Sequence, residues 1–345
     1  DCQALNATMR GLALTLYRNV KDVEIIGFID GYKGLMYEKY KKMKPKDFYD
    51  ILNVGGSILG NSRCPFKRMR IIENGFDKVK AMKNTYKKLE LDCLVVLGGN
   101  GSIKSANMLS QEGLNVIALP KTIDNDAWGT DYTFGYSSAT AIATRYLDEI
   151  KTTAASHSRV FVIEVMGHKV GHICLSAGIA AGADVILLPE IPYDIKVVAK
   201  KVKETLKNEK NYAIIACAEG AISEADALMK RKDYKAKVLA RNGRSVAYEV
   251  ADELSQEIDA EIRVSCIGHA QRGGNPNSYD REISTRFGVE GARLIIKKHY
   301  GEYVVLQGNH VTHIPLEATA GKLKYVDTEG EIVQSAKLVG ISFGE

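Results

Sequence analysis

The sequence predicts an α/β protein with two doubly wound, Rossmann-like domains whose sheets are mainly parallel. Short apolar runs alternate along the chain with longer amphipathic runs, and apolar strands that are covered by helices on both faces are typical of parallel sheets. The chain has 345 residues, which is more than one hydrophobic core usually organises, so two such sheets are expected.

The predicted elements follow one another in the order that this fold requires. In chain order the informative runs are DVEIIGFID, LDCLVVLGG, SIKSANMLSQEG, LNVIALP, RVFVIEVMG, GHICLSAGIAAG, DVILLPE, IKVVAKKVKETLKN, NYAIIACAEG, SVAYEVADELSQEI, EIRVSCIGH and REISTRFGVEGARLIIKKHYG. The run that begins IKVVAKK has helical spacing, with lysines on its outer face. Strand and turn signals follow after about residue 305, and the closing LVGISFGE is expected to form an exposed end.

Composition and charge exclude several classes of protein. No apolar run is long enough to span a bilayer, and no signal pattern begins the sequence, so no membrane association is expected. The formal charge of +5 suits anionic small molecules and does not suggest a nucleic-acid partner. The lysine-rich residues 39–46 are interpreted as a solvated face. Six scattered cysteines without a C-x-x-C pair fit a reducing cytoplasm better than a disulfide scaffold.

Five strand ends are rich in glycine, charge and histidine. They are GGNGS (98–102), PKTIDND (120–126), EVMGHKVGH (164–172), AEG (218–220) and GHAQRGG (268–274). Ligands of doubly wound folds bind beyond the carboxyl ends of the strands. Each stretch alone could be an ordinary turn, but five in succession indicate one assembled site.

The glycine-rich residues 98–102 follow a predicted strand and open a predicted helix. Glycine lets the backbone approach a ligand closely, and a helix N-terminus offers free amides to phosphate. A tight turn without a ligand explains this short pattern equally well.

The PKTIDND stretch is more specific, because two carboxylates stand two residues apart. Asp124 could accept a proton from a hydroxyl that attacks phosphorus, and Asp126 could hold Mg²⁺ or orient its neighbour. The two side chains would point to the same side if the segment is extended. A turn in which the acids bond their own backbone is the alternative, although the nearby polar residues favour a site.

Basic residues and one further acid complete the candidate set. His269 and Arg272 lie three apart beside two glycines, a combination that favours anion binding. Arg63 and Arg68 stand in a predicted loop, where arginines are usually only solvated. Glu219 ends an apolar strand, and it could bind sugar hydroxyls or cap the next helix.

Taken together, PKTIDND, EVMG and GHAQRGG resemble the phosphofructokinases, from residue 1 to about 300. The resemblance implies that Asp124 takes the proton from the 1-hydroxyl of fructose 6-phosphate while Asp126 assists near Mg²⁺. It also implies that Arg63 bridges the transferring phosphate and the substrate, and that Thr122 contacts both.

The resemblance implies two groups of ligand contacts. Those of the phosphoryl donor are Gly98, Gly99, Asn100, Gly101, Ser102, Arg63, Arg68 and Lys121. Those of the sugar phosphate are Thr122, Asp124, Arg159, Met166, Gly167, His168, Glu219, Arg263, His269 and Arg272. Metal contacts are Asp126 and, weakly, Asn100.

The same resemblance implies a domain plan and an assembly. Residues 1–135 and about 270–322 would bind the donor, and residues of about 136–269 and 323–345 would bind fructose 6-phosphate. Arg159 and Arg263 match arginines that reach the substrate of a neighbouring subunit. A homo-oligomer, either dimer or tetramer, with shared active sites is therefore expected in the cytoplasm.

The sequence departs from the family pattern in four ways. Asn100 stands where many relatives have Asp, so the metal would depend on the donor phosphates and Asp126. Gly101 leaves room for a nucleotide, as in ATP users, whereas Lys121 follows the pyrophosphate users; because an acid at 101 would block a nucleotide, ATP is favoured. His168 replaces a common arginine and predicts a weaker, pH-dependent contact. Finally, a first strand and glycine pair expected before residue 1 are not in the sequence, so further residues are expected to precede it.

The favoured function is thus an ATP-dependent 6-phosphofructokinase of glycolysis. Alternatives are a pyrophosphate-dependent enzyme and a non-catalytic regulatory paralogue that binds sugar phosphate. A lipid or dinucleotide kinase would share the glycine turn, but PKTIDND and GHAQRGG argue against it.

Overall fold

A computed structural model describes residues 1–208, 210–319 and 321–345. The chain divides into two compact units. Unit 1 comprises Asp1–Ser138 and Arg272–Lys324, and unit 2 comprises Ala139–Gln271 and Tyr325–Glu345. The divisions that the sequence predicts fall after residues 135, 269 and 322, and the ligand assigned to each domain stays a prediction.

The helices and strands are numbered along the chain. The helices are α1 (Leu5–Asn19), α2 (Tyr32–Met36), α3 (Lys78–Lys88), α4 (Asn100–Gln111), α5 (Tyr136–His157), α6 (His172–Ala180), α7 (Ile195–Asn208), α8 (Glu224–Ala227), α9 (Arg231–Ala240), α10 (Val246–Ser255), α11 (Ser278–Ile296) and α12 (Glu331–Leu338). The strands are β1 (Ile25–Phe28), β2 (Tyr40–Met43), β3 (Leu94–Gly98), β4 (Val116–Pro120), β5 (Val160–Val165), β6 (Val185–Leu187), β7 (Ala213–Ala218), β8 (Ile262–Cys266), β9 (Glu302–Gln307) and β10 (His310–Pro315). Short 3₁₀ helices lie at Pro45–Phe48, Phe66–Arg68, Gly268–Arg272 and Leu316–Thr319.

The main sheet of unit 1 has the order β10-β9-β4-β3. Strands β3, β4 and β9 are parallel, and β10 returns antiparallel to β9 as a hairpin. Gly98 at the end of β3 lies opposite Pro120 at the end of β4. The glycine turn and the acidic turn therefore leave neighbouring strands at the same edge of the sheet.

Helices α1 and α11 of unit 1 pack against each other through glycine. A Cβ added at Gly288 would lie 2.4 Å from the Thr8 carbonyl oxygen, and one at Gly11 would lie 2.7 Å from the Thr285 carbonyl oxygen. The two backbones can approach this closely only because neither residue carries a side chain. The glycines of REISTRFGVEG thus fix how α11 covers the sheet.

Unit 2 contains a fully parallel sheet with the order β6-β7-β5-β8. Strands β5, β6 and β7 are almost entirely apolar, and the sheet forms a core with α7 and α10. On α7 the buried residues Val198, Val202 and Thr205 recur at helical spacing, while the lysines lie on the other face. Val165 and Ala218 end β5 and β7 side by side, which places the EVMG and AEG stretches next to each other. The α/β class with mainly parallel sheets is confirmed.

Two expectations are wrong in detail. The first apolar run, DVEIIGFID, does not join a parallel sheet: β1 pairs antiparallel with β2 in a separate hairpin. Strand β2 carries exposed lysines, and an antiparallel pair tolerates one solvated face, whereas a parallel sheet is covered on both. The solvated face predicted for residues 39–46 coincides with this strand.

The closing LVGISFGE is exposed at its first residues, Leu338 and Val339, but residues 341–344 are not exposed. Phe343 is 2% exposed, Ser342 forms a parallel bridge with Val185, and the Ile186 amide donates to the Ser342 carbonyl at 2.9 Å. Ile341 and Phe343 are buried where this part of the segment covers the edge of β6, because the edge strand has no other partner.

Of the helices that the structure describes, none is both long enough and apolar enough to cross a membrane.

Candidate active site

The glycine turn of unit 1 joins β3 to α4. Gly98 is required sterically, because a Cβ there would lie 2.2 Å from Cβ of Ser102. Gly101 differs, since a Cβ added there would meet no atom within 4 Å. The Tyr32 hydroxyl donates to the Ser102 carbonyl at 2.8 Å and braces the turn. The first amides of α4 have no partner within the helix, and open space lies beside them at Gly101.

The acidic turn of residues 122–126 follows β4 and is not extended. Asn125 has φ of +54°, a left-handed conformation that Asn tolerates better than most residues. The period-two argument for the two acids therefore does not apply. The Asp124 amide donates to Thr122 Oγ1 at 3.1 Å, so this local bond uses the threonine hydroxyl and not the side chain of either acid. Asp124 is half-buried and Asp126 is buried.

A side-chain hydrogen bond joins the two turns. Asn100 Nδ2 donates to Asp126 Oδ2 at 2.6 Å, and the Lys121 amide donates to the Gly98 carbonyl at 3.1 Å. The first residue of α4 and the second acid of PKTIDND are thus in direct contact. The structure brings together the turn predicted to bind phosphate and the turn predicted to carry the base.

The acidic loop returns to the sheet through buried polar contacts. Thr133 Oγ1 donates to the Thr122 carbonyl at 2.7 Å. Beyond it, the buried Asp280 carboxylate accepts bonds from the Gly135 amide at 3.0 Å and from the Ser138 amide at 2.8 Å. Burial and the nearby Asp280 raise the pKa of Tyr132, which donates to that carboxylate. Sequence reasoning missed Asp280, which lies in another part of the chain without a motif.

Lys324 also contacts this loop, and sequence reasoning missed it as well. Its ammonium group donates to Asn125 Oδ1 at 3.0 Å and to the carbonyls of Thr130 and Asp131 at 2.9 Å each. Burial lowers the pKa of Lys324 to about 8, against the opposing effect of the carboxylates of Asp131 and Asp126. No local pattern marks this lysine, because its partners lie almost 200 positions earlier.

The predicted donor arginines lie in the segment before α3. Arg63 is exposed in the loop that precedes the 3₁₀ helix Phe66–Arg68. Arg68 forms an ion pair with Glu73 at 3.0 Å, and Lys78 pairs with the same carboxylate at 3.1 Å. Both arginines have exposed side chains that a dissolved anion can reach.

In unit 2 the predicted substrate loop is organised by Glu219. Its carboxylate accepts a bond from the Gly167 amide at 3.1 Å and another from the His168 amide, while the Met166 amide donates to Gln271 Oε1 at 3.3 Å. His168 is exposed and has φ of +55°. Glu219 therefore shapes the Met-Gly-His loop, and it does not cap a helix.

Arg159 and Arg263 converge on one carboxylate in unit 2. Arg159 Nε lies 2.8 Å from Glu261 Oε2, and Arg263 pairs with the other oxygen of Glu261. Arg263 lies opposite Phe161 on the adjacent strand, so neighbouring strands bring the two arginines together. Two cations around one acid leave a net positive charge at the surface.

The last motif spans the division between the units. His269 is exposed within the 3₁₀ helix Gly268–Arg272 and belongs to unit 2. Arg272 belongs to unit 1, where its guanidinium donates to the Asp1 carbonyl at 3.2 Å.

The residues present fit a metal that arrives with phosphate. Among the described residues, no group of three or more His, Cys, Asp or Glu side chains could hold an ion. Asp126 offers a carboxylate and Asn100 an amide oxygen beside the open space at Gly101. Mg²⁺ commonly uses one or two protein oxygens and takes its remaining ligands from water and substrate phosphates.

The chain is similar in sequence to known phosphofructokinases. Residues 1–295 match the family described as Phosphofructokinase. The chain is 45% identical over its whole length to the ATP-dependent 6-phosphofructokinase of Spirochaeta thermophila, covering 95% of that protein. It is 41% identical, again over its whole length, to ATP-dependent 6-phosphofructokinase 3 of Bacteroides thetaiotaomicron, covering 97% of it.

Solved structures share the fold. Phosphofructokinase from Saccharomyces cerevisiae superposes with a TM-score of 0.80 at 28% identity over 93% of this chain. This chain spans only 44% of that yeast chain. The pyrophosphate-dependent phosphofructokinase from Nitrosospira multiformis also gives a TM-score of 0.80, at 19% identity over 99% of this chain and 89% of the other, and supports the fold alone.

Proposed function

The chain belongs to the phosphofructokinase family, and we propose that it transfers the terminal phosphoryl group of ATP to the 1-hydroxyl of fructose 6-phosphate. The products are fructose 1,6-bisphosphate and ADP, and the step belongs to glycolysis. The observation that carries the proposal is the 2.6 Å hydrogen bond between Asn100 and Asp126. This bond joins the glycine turn, which suits phosphate, to the acidic turn, which carries the candidate base.

Asp124 is proposed as the general base. Its half-buried carboxylate would take the proton of the 1-hydroxyl as that oxygen bonds to the γ-phosphorus, while the bond from the γ-phosphorus to the β,γ-bridging oxygen breaks. Asp126 and Thr122 would orient Asp124. Thr122 Oγ1 accepts a hydrogen bond from the Asp124 amide, and the Asp126 carboxylate accepts one from Asn100. Arg63 would neutralise charge on the transferring group.

The donor would lie along the glycine turn. Residues 98–102 would bind phosphate oxygens through the amides that open α4, with Lys121, Arg63 and Arg68 as further cationic contacts. The open space at Gly101 favours a nucleoside triphosphate, whose inner phosphate needs that volume. Lys121 keeps pyrophosphate as the second candidate donor.

Mg²⁺ is the proposed metal ion. Asp126 would hold it, with a weaker contribution from Asn100, and when bound it would neutralise charge on the donor phosphates.

The sugar phosphate is proposed to bind through residues of the remaining motifs. These are Met166, Gly167, His168, Glu219, His269 and Arg272 together with Arg159 and Arg263. The convergence of Arg159 and Arg263 on Glu261 supports an anion contact there. We propose that these two arginines serve the active site of a neighbouring copy, so that the working enzyme is a homo-oligomer.

A coupled assay with ATP and pyrophosphate as alternative donors tests the proposal. Fructose 6-phosphate should be phosphorylated with ATP in the presence of Mg²⁺, and the rate with pyrophosphate should be at background. Turnover with pyrophosphate alone would establish the second candidate. Binding of fructose 6-phosphate without turnover with either donor would establish a non-catalytic paralogue.

A further inference from the structure

The loop that carries the proposed base has two arms, and one is fixed to the sheet. Residues 121–134 leave β4 and return beside it, where Lys121 and Phe134 form a bridge. In the returning arm, the Leu306 amide of β9 donates to Thr130 Oγ1 at 2.9 Å, and the Asp131 amide donates to the Leu306 carbonyl at 2.8 Å. This arm is therefore tied to a buried strand of the sheet.

The acidic turn, which is the outgoing arm, is held to the fixed arm by Lys324. The three donated bonds of its ammonium group join Asn125 Oδ1 on the acidic turn to the carbonyls of Thr130 and Asp131 on the fixed arm. The backbone of Lys324 also contacts the acidic turn, since its amide donates to the Asp126 carbonyl at 2.9 Å. An antiparallel bridge between Ala127 and Leu323 continues the contact.

We propose that Lys324 is a positioning residue for phosphoryl transfer, which holds the turn of residues 122–126 so that Asp124 faces the hydroxyl it must deprotonate. An ammonium group has three N–H donors and no acceptor, and here each of three loop oxygens accepts one of the donated bonds. Lys324 is half-buried, and its ammonium group would lose these bonds if the acidic turn moved away from the fixed arm. This inference rests on the proposed function.

The backbone of Asn125 explains why this brace, the three bonds donated by the Lys324 ammonium group, matters. Asn125 stands between the two acids and has a left-handed backbone, which is one of several conformations open to Asn, so the contacts of the turn decide which one it keeps. Its side chain points to Lys324, whereas the Asp126 carboxylate points to Asn100. A change of φ at Asn125 would break these contacts and displace both Asp124 and Asp126. A displacement of about 1 Å in a reacting group can lower a rate on the order of a hundredfold.

A nearby lysine provides a matched control. Lys322 belongs to the same segment and is exposed, with its ammonium group 4.0 Å from the centre of the Trp128 ring. It contacts the outer side of the same loop, but no bond joins it to Asn125 among the described contacts. Lys322→Met therefore removes a lysine charge beside the loop while leaving the brace intact.

The decisive experiment is a double-mutant cycle between Lys324 and the base. Lys324→Met keeps most of the length of the side chain and removes its charge and donors. We expect it to lower kcat about tenfold to a hundredfold, with the KM for fructose 6-phosphate changed by less than about threefold. In an Asp124→Asn background the same change should lower kcat by less than about threefold, because the group being positioned is gone.

The control and a second variant keep the test open to refutation. Lys322→Met should retain the wild-type kcat. If Lys324→Met fails to fold, Asn125→Gly takes its place in the cycle. Glycine accepts the backbone conformation and removes the oxygen that Lys324 binds, together with the longer contacts of the same side chain with Thr133 and the Asp131 carbonyl. The kcat should then fall only in the background that retains Asp124.

Two results would overturn the inference. An equal loss in both backgrounds would mean that Lys324 only stabilises the fold, and an unchanged kcat would mean that the brace is not needed. Failure of the proposed function looks different, because wild-type protein and Lys322→Met would then also lack fructose 6-phosphate phosphorylation.

Discussion

Asn100 places a neutral amide in contact with the buried Asp126 carboxylate. The 2.6 Å bond gives Asp126 Oδ2 a neutral donor, whereas two carboxylates at this distance would repel each other. The protein part of the proposed metal site therefore carries one negative charge, and its affinity for Mg²⁺ has to come largely from the donor phosphates.

Asn100→Asp should make folding stability depend on metal. Without metal we expect the midpoint of thermal unfolding to fall by about 2–4 °C, which corresponds to roughly 1 kcal/mol in a domain of this size, and Mg²⁺ should restore it. Thermal unfolding with EDTA and with Mg²⁺, and Mn²⁺ binding followed by electron paramagnetic resonance, measure both effects. The exposed Asn84→Asp is the control. A melting temperature that metal leaves unchanged would mean that position 100 lies away from the ion.

Gly101 offers the opposite case, an empty space that only a ligand would need. Because a Cβ there meets nothing within 4 Å, Gly101→Asp should fold normally yet place a carboxylate where the donor phosphate binds. ATP turnover should fall to background while the melting temperature stays within about 2 °C of the wild type. Gly101→Ala tests the added volume without the charge. Unchanged ATP kinetics in the Asp variant would refute the proposed donor position.

Some single residues of the site could be predicted from the sequence and others could not. The glycine turn and the acids were recognisable because their chemistry is concentrated in a few adjacent positions. The left-handed Asn125 was missed, since an isolated Asn between two acids has no fixed backbone preference. Lys324 and Asp280 were missed because their contacts with the loop connect distant parts of the chain, which no local pattern encodes.

At the scale of elements, glycine fixes the packing of α1 on α11. A Cβ at Gly288 would meet two backbone atoms, the Thr8 carbonyl oxygen at 2.4 Å and the Leu12 nitrogen at 2.6 Å. A Cβ at Gly291, one turn along, would first meet the flexible Leu12 side chain at 3.2 Å. An alanine at position 288 would therefore require the backbone of α1 to move, whereas one at position 291 would require only a side chain to move. Both positions lie on α11.

Gly288→Ala should destabilise the protein by about 1–3 kcal/mol, because backbone cannot move aside as a side chain can. Gly291→Ala should be neutral or stabilising by up to about 1 kcal/mol, since alanine favours the helix. Urea unfolding of both variants measures the difference. Equal stabilities for the two variants would show that α1 and α11 are not in the close contact described.

Elements were predicted best where hydrophobic periodicity is strong. The buried strands of both units and the amphipathic α7 follow directly from it. The β1–β2 hairpin was read wrongly, because a short apolar run has the same appearance in a parallel sheet and in a hairpin. The buried Phe343 was missed since its partner, the edge of β6, becomes known only once the strand order is known.

At the scale of the whole molecule, the proposed assembly places Arg159 and Arg263 in a neighbour's active site. Both arginines now share Glu261, so a substrate phosphate would have to compete with that carboxylate for them. The sequence contains no motif for an interface, and the prediction of shared sites came only from the family resemblance.

Mixing two inactive variants tests the shared site. Asp124→Asn lacks the base, and Arg263→Ala lacks the arginine offered to the neighbour. Refolded together in equal amounts, they should form hybrids with one intact site each, giving about a quarter of the wild-type activity for a two-fold dimer at low fructose 6-phosphate. Each variant refolded alone is the control. Activity no higher than the average of the two controls would mean that each chain uses its own arginine.

Steady-state kinetics of Asp124→Asn, with ATP and Mg²⁺, test most directly whether the acidic turn performs the chemistry beside the glycine turn. Removing a general base should lower kcat about 10²- to 10⁴-fold, while calorimetry should find the affinity for fructose 6-phosphate nearly unchanged. A variant that keeps the wild-type kcat would exclude Asp124 as the base and contradict the proposed site.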